Sequence, residues 1–286
     1  MNLKLNKAFP SINQSWGIAG ITIAAMILFT PIYIGLNRPE WHDIGMLIYY
    51  VLAMGLPFLY AHKMRKERNN IDSFDFNLTN WKAIALVIVG IIAIQFAIIS
   101  PIIGLIPMSE FIIQMAEQLS KLNPLVGFVM LVIAAPILEE LIFRGVILDG
   151  LLQNYSPRKS IFISSLLFGI VHLNPWQFIA AFFIGIFSGW VYYKTRKLSL
   201  SIIIHMTNNF LGFVSMQIEG GDINPDQSYF EPFGGVAYFF LIVIVGLAIT
   251  IFSVYLLNKE FVKIKAPDWA NIYKNSLPER PIIKEN

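Results

Sequence analysis

The chain of 286 residues contains no cysteine. That absence excludes disulfides, thiolate catalysis and Cys-ligated zinc or iron–sulfur centres. Charge is also scarce: Asp, Glu, Lys and Arg make up 14% of the residues, against about 25% in a soluble domain. Internal repeats, low-complexity tracts and a helical H-E-x-x-H zinc signature are all missing. The acidic stretch 217–235 holds Glu219, Asp222, Asp226 and Glu231 without one Lys or Arg, and reads as a solvated outer loop. What remains is 56% hydrophobic, with a mean hydropathy of +0.63. This is the composition of a polytopic membrane protein, and the lipid bilayer is its first partner. The pI of 8.9 and net charge of +3 call for no nucleic-acid partner, because basic loops at an anionic cytoplasmic leaflet account for them.

Eight apolar segments are legible, at about 16–36, 44–61, 83–106, 124–148, 160–174, 177–193, 198–216 and 236–257. A spanning helix needs about 17–25 residues, so the segment 160–174 is short. The expected fold is all-α, a bundle of about eight transmembrane helices. If the N-terminus is cytoplasmic, eighteen of the 21 Lys and Arg fall on the inside, only Arg38 and Lys121 fall outside, and Arg144 lies within a span. That asymmetry obeys the positive-inside rule and predicts both termini in the cytoplasm. The first segment exceeds a signal-peptide core of about 7–15 residues, so it is expected to stay as a span. Residues 1–258 read as a single transmembrane domain, with a catalytic core at about 124–216, and residues 259–286 as a basic cytoplasmic tail. Residues 107–123 show apolar positions near helical spacing and predict an interfacial helix.

One feature conflicts with simple membrane insertion. Glu139, Glu140 and Arg144 stand within the otherwise apolar run 124–148, where each charge costs roughly 2.5–3.5 kcal/mol even on lenient scales. Such residues face a protein-lined cavity by default. Glu140 and Arg144 are i and i+4 and share a helix face. Glu139 lies about 100° around the helix, free to point elsewhere. Pro136 removes a backbone donor just before them, and a bent helix at membrane depth lines a cavity. Two of the four histidines, His172 and His205, fall in later apolar segments, and Asn209 follows His205 by one turn. The adjacent Asn208 faces about 100° away and is expected to bond locally to its helix. Counted from the inner ends of their spans, Glu139, His172, His205 and Asn209 all lie about 10–18 Å deep.

This set leaves two chemistries open. A carboxylate and an imidazole can deprotonate a water, while a second imidazole and a carboxamide stabilise an oxyanion. Alternatively, Glu139, His172 and His205 can ligate zinc as a His₂Glu set with an open position.

The residues Glu139-Glu140-Leu-Ile-Phe-Arg144, Phe168-Gly-Ile-Val-His172 and His205-Met-Thr-Asn208-Asn209, in that order and in separate apolar segments, resemble the motifs of a known family. It is the CAAX prenyl endopeptidase and bacteriocin-processing (CPBP, or Abi) family of intramembrane proteases. The resemblance covers about a third of the chain. It implies that Glu139 and His172 activate water, that His205 and Asn209 form the oxyanion site, and that Glu140 and Arg144 support them. It also implies a membrane-associated peptide or protein substrate and a mechanism without a cofactor, zinc being the alternative. Bacterial members of the family are linked to bacteriocin self-immunity, pheromone processing and surface display. The Ile-, Asn- and Lys-rich composition suits a bacterial cell membrane, where a prenylated substrate is not expected.

Other readings stand beside this one. Glu140–Arg144 can be a structural ion pair, and each histidine alone can be a packing residue. A transporter also uses intramembrane Glu, His and Arg, but it should show repeat symmetry. A non-proteolytic scaffold or immunity protein would keep the fold and tolerate Glu139→Gln. Gly185 and Gly189 read as a helix-packing pair, and Trp16, Trp176 and Trp190 as interfacial anchors.

Overall fold

The computed structural model describes residues 8–36, 41–107, 109–219 and 230–264, without the side chains of Phe111, Glu219 and Pro232. The N-terminal lysines, Arg38, most of the acidic outer loop and the tail from 265 onward lie outside the described residues. Every long element described is helical: α1 (Ile12–Leu36), α2 (His42–Asn69), α3 (Trp81–Ile103), α4 (Glu110–Ser120), α5 (Pro124–Asn154), α6 (Pro157–Ile170), α7 (Pro175–Thr195), α8 (Leu198–Glu219) and α9 (Val236–Phe261). Local chemistry sets several boundaries. Asn80, Ser109 and Asn174 cap helix N-termini by accepting from the backbone N–H of Ala83, Ile112 and Gln177. Pro124, Pro157 and Pro175 occupy first-turn positions, where no N–H is needed.

Seven of these helices are long and apolar enough to cross a membrane, and the protein is an integral membrane protein. The helix expected between 107 and 123 forms as α4. The count differs from eight at one place. The segment expected at 160–174 forms α6, of only 14 residues, which spans about 21 Å. It stops because Leu173 adopts a left-handed backbone (φ 57°) and Pro175 starts the next helix. The chain then returns along α7 as an antiparallel hairpin. Gly189 packs on Ile161, Gly185 on Ser165 and Gly169 on Phe178. A Cβ at Gly185 would lie 2.8 Å from Ser165 Cβ, so the Gly185/Gly189 pair does bring two helices into close contact. Lipid tails are as apolar as side chains, so such close packing, rather than water exclusion, holds helices together here. Gly90 against Phe187 and Gly246 against Ala97 serve the same purpose on α3 and α9.

α5 is the axis of the bundle. Every residue from Glu139 to Leu151 is buried, as expected of a helix apolar on all sides. Ile142, Phe143, Val146 and Ile147 pack with Leu167, Phe168, Ile184 and Ile204 in one core. By contrast, α9 turns Ile244, Ile251 and Phe252 outward.

At one end of the bundle lies a buried charge cluster that the sequence reading did not single out. Asp149 and Arg65 are both fully buried. Asp149 accepts from Arg196 Nη1 (2.8 Å), Arg65 Nη2 (3.4 Å), Tyr192 Oη (3.3 Å) and Gln153 Nε2 (3.2 Å). Arg65 also donates to Ser73 O (3.2 Å) and lies over the Phe74 ring. One carboxylate thus ties α2, α5 and α7 together. Asp149→Ala strands a buried guanidinium and is expected to cost about 3–5 kcal/mol, with Asp149→Asn costing less. Equilibrium unfolding in mixed micelles checks this; a loss under 1 kcal/mol for Asp149→Ala would show that the cluster is not needed.

Candidate active site

The site forms where α5 is least regular. The helix widens to π-type turns over Phe128–Ala134 and Leu141–Leu148, on either side of the two glutamates, a distortion frequent at functional sites. In the first, Ala135 N–H donates to Met130 O, five residues back. The next bond in this register would run from residue 136 to Leu131 O, but Pro136 has no N–H. Asn209 from α8 takes that place, donating Nδ2–H to Leu131 O at 2.9 Å. A side chain expected only at the chemistry therefore also satisfies the backbone carbonyl that the proline releases.

Glu139 and Glu140 diverge, as their 100° offset requires. Glu140, fully buried, forms an ion pair through Oε1 with Arg144 Nη1 at 2.9 Å, and the same oxygen meets His205 Nδ1 at 3.2 Å. The Arg144 guanidinium lies 4.5 Å over the centroid of the Phe168 ring, a desolvated cation–π contact worth about 2 kcal/mol. The same ring meets His172 and His205 edge-on, at 5.3 and 5.4 Å between centroids. Phe168 is therefore the hub that the two histidines and the arginine surround.

Glu139 faces the cavity. Its Oε1 accepts a short hydrogen bond from Tyr50 Oη of α2. Its Oε2 lies 4.0 Å from His172 Nε2 and 3.8 Å from His205 Nε2. His172 Nδ1 sits 2.8 Å from Phe168 O. A carbonyl only accepts, so Nδ1 carries a proton and it is Nε2 that the ring turns to the cavity. On His205 the carboxylate of Glu140 likewise makes Nδ1 the donor.

The structure thus brings Glu139, Glu140, Arg144, His172, His205 and Asn209 together. Glu139, His172, His205 and Asn209 line one cavity of about 220 Å³, which Tyr50, Asn208 and Gln177 share. Met26, Met54, Ala181 and Ile184 form its apolar wall. Two of these residues correct or extend the sequence reading. Asn208 does not bond to its helix: its Oδ1 is buried with no hydrogen-bond partner among the described residues, and the side chain borders the cavity. Tyr50 was not anticipated, since a tyrosine in an apolar span carries no signal of its own. His42 and His62 lie away from the site, beside Asp43 and Asp72.

The zinc alternative can be tested on these distances. Zinc binds His nitrogen and carboxylate oxygen at about 2.0–2.2 Å, which places neighbouring ligand atoms on a tetrahedron about 3.3–3.5 Å apart. The two imidazoles stand 3.8 and 4.0 Å from one carboxylate oxygen, and Tyr50 holds the other. Among the described residues no group of three His, Asp or Glu is placed to hold a metal. Glu139, His172 and His205 do not fit zinc as they stand.

Breaking the inner ion pair on one side is costly. Arg144→Leu leaves Glu140 buried without its main partner and is expected to lose about 3–5 kcal/mol, whereas Glu140→Leu with Arg144→Leu regains most of it. Unfolding of both variants in mixed micelles decides this, and a double variant no more stable than the single one would refute it.

Comparison with known proteins converges on the same segment. Residues 121–211 match the family described as type II CAAX prenyl endopeptidase Rce1-like. A putative membrane peptidase, YdiL of Bacillus subtilis, is 34% identical over 100 residues, covering 35% of this chain and 38% of that protein. The membrane-embedded CAAX protease MroQ of Staphylococcus aureus is 36% identical over 89 residues, 29% of this chain and 35% of that protein. The UPF0177 protein YxdF of Lactococcus lactis is 26% identical over 168 residues, 56% of this chain and 90% of that protein. The chain thus spans little more than a third of the length of the two relatives named as peptidase or protease. No solved structure matches the chain. The segment that matches that family, residues 121–211, carries all three motifs around the cavity.

Proposed function

We propose that this protein is a metal-free glutamate endopeptidase that cleaves a membrane-associated peptide or protein within the bilayer. One observation carries the reading: a buried carboxylate, with one oxygen held by Tyr50, turns the other toward two imidazole Nε2 atoms at 4.0 and 3.8 Å. A water hydrogen-bonded to both Glu139 Oε2 and His172 Nε2 fits that separation, since two bonds of about 2.8 Å bridge 4 Å at an open angle. Glu139 takes one proton from the water, His172 orients it, and the oxygen attacks the scissile carbonyl. His205 keeps its Nδ1–H on Glu140, and in the proposed step its Nε2 side meets the developing oxyanion together with the second Nδ2–H of Asn209. The proton then passes to the leaving amine, and Glu139 returns to its carboxylate.

Glu140 and Arg144 act through His205, fixing the orientation of its ring. Tyr50 is a positioning residue that decides which oxygen of Glu139 faces the water. The methionines and small aliphatics of the cavity wall suit an apolar substrate side chain. In the proposed topology both termini are cytoplasmic, residues 1–258 form the membrane domain, and the basic tail lies at the inner leaflet, in keeping with the charge asymmetry of the loops. Bacteriocin self-immunity and peptide processing are the roles that fit a bacterial member.

The test is cleavage of quenched apolar peptides by the purified protein in detergent. Glu139→Gln is expected to lose at least about 100-fold in rate while remaining folded, and a zinc chelator should leave the wild-type rate unchanged. Loss to chelator with recovery on added zinc would overturn the metal-free mechanism; full activity in Glu139→Gln would overturn the protease reading itself. For Tyr50→Phe, kcat should fall about 10- to 100-fold with KM little altered, since one hydrogen bond to a charged group is worth about 1.5–3 kcal/mol. Added to Glu139→Gln, the change should cost almost nothing more, and full additivity in that double variant would separate Tyr50 from Glu139.

A further inference from the structure

We propose that Asn208 is a substrate-binding residue that grips the backbone of an extended peptide beside Glu139, accepting its N–H at Oδ1 and donating to its C=O from Nδ2. The proposal deepens the protease reading and rests on it. The first ground is unsatisfied chemistry. Asn208 Oδ1 is buried without a partner among the described residues, and the side chain borders the same cavity as Glu139, His205 and Tyr50. A carboxamide left unpaired in a membrane interior is costly, so it is expected at such depth only where a ligand or water meets it. Its neighbour Asn209 differs, because that amide already donates one N–H to Leu131 O and offers the other to the oxyanion in the proposed reaction.

The second ground is that the chain twice shows how such an amide holds peptide backbone. Asn69 Oδ1 accepts from Phe9 N–H at 2.8 Å while its Nδ2 donates to Phe9 O at 2.5 Å. Asn154 does the same to Ala8, accepting from N–H at 3.0 Å and donating to O at 2.7 Å. In each case one carboxamide matches the N–H and C=O of a single residue. Asn208 carries the same two groups on a side chain that borders the cavity. Gln177 adds a donor on the cavity wall, since its Oε1 is occupied by Asn174 Nδ2 at 2.6 Å while its amide nitrogen has no partner among the described residues.

The ligand class follows from the geometry. A lipid tail offers nothing to a carboxamide, whereas an extended peptide presents N–H and C=O of one residue on the same side. A backbone grip reads no side chain, so selectivity at that residue falls to the apolar wall of Met26, Met54 and Ile184. The protein would then hold its substrate by shape and main chain beside the scissile bond.

The experiment uses the full-length protein and a quenched apolar peptide that wild type cleaves and Glu139→Gln does not. Analogues of that peptide, each N-methylated at one backbone nitrogen, are then compared. Wild type should show one position near the cleaved bond where methylation raises KM about tenfold, the loss of one good hydrogen bond. In Asn208→Ala, KM for the unmodified peptide should rise by a similar factor and the penalty at that one position should vanish. A role confined to packing would weaken every analogue alike and leave the position-specific penalty in place, which would overturn the proposal. A flat methylation profile in wild type would overturn it without recourse to any variant. If wild type cleaves no peptide, the protease reading fails and this inference with it. Cleavage with an unchanged profile in Asn208→Ala sinks the inference alone.

Discussion

The ion pair of Glu140 with Arg144 is the constraint around which the membrane-embedded part of the protein is built. Neither charge can reach water, and desolvation of each costs several kcal/mol that only close partners offset. Glu140 supplies one oxygen to both Arg144 and His205. Arg144 rests its face on Phe168, and Phe168 in turn carries the edges of both histidines. The pair therefore fixes more than itself. It sets the rotation of α5, and with it the direction of Glu139; it orients His205 on α8; and it holds α6 by its aromatic ring. Removing it would release three helices at once.

Irregular backbone is the second element of the design. A regular α-helix satisfies its own carbonyls and leaves side chains of neighbouring helices nothing to bind. α5 departs from that pattern twice, and at Pro136 it exposes a carbonyl that α8 recognises through Asn209. A membrane helix can break its own ladder only where another part of the protein repairs it. Here the repair also brings α8 close enough for His205 to meet Glu140.

Much of this was legible in the sequence, for a definite reason. Charges in an apolar run are so expensive that Glu139, Glu140 and Arg144 announced a site, and helix periodicity sorted their directions correctly. His172 and His205 stood out because histidines are few. Tyr50 did not, because the Tyr49-Tyr50 pair looks like any aromatic pair of a membrane helix. Asp149 lies at the end of its apolar run, where a charge costs little, and Arg65 is one of four basic residues between Lys63 and Arg68, three of which have no such burial. Nothing local says which of them turns inward. Asn208 was misjudged because a 100° offset seems to point it away from a site addressed by Asn209. The cavity is wide enough for two successive positions of α8 to border it. The length of α6 depended on the left-handed turn at Leu173, which an uninterrupted apolar pattern conceals.

That short helix has a consequence for the surrounding lipid. A 14-residue helix falls about 9 Å short of a hydrocarbon core of about 30 Å, while α7 and α1 beside it are long enough to cross. Such hydrophobic mismatch is met by local thinning of the bilayer, at a fraction of a kcal/mol per Å. Leu173, at the tip of the hairpin and 61% exposed, marks where the membrane would dip. In the proposed reaction, water and a substrate chain then have less hydrocarbon to cross on the way to His172 than the full bilayer would impose, and thinner or thicker lipid becomes a means of setting access to the cavity without touching any group that lines it.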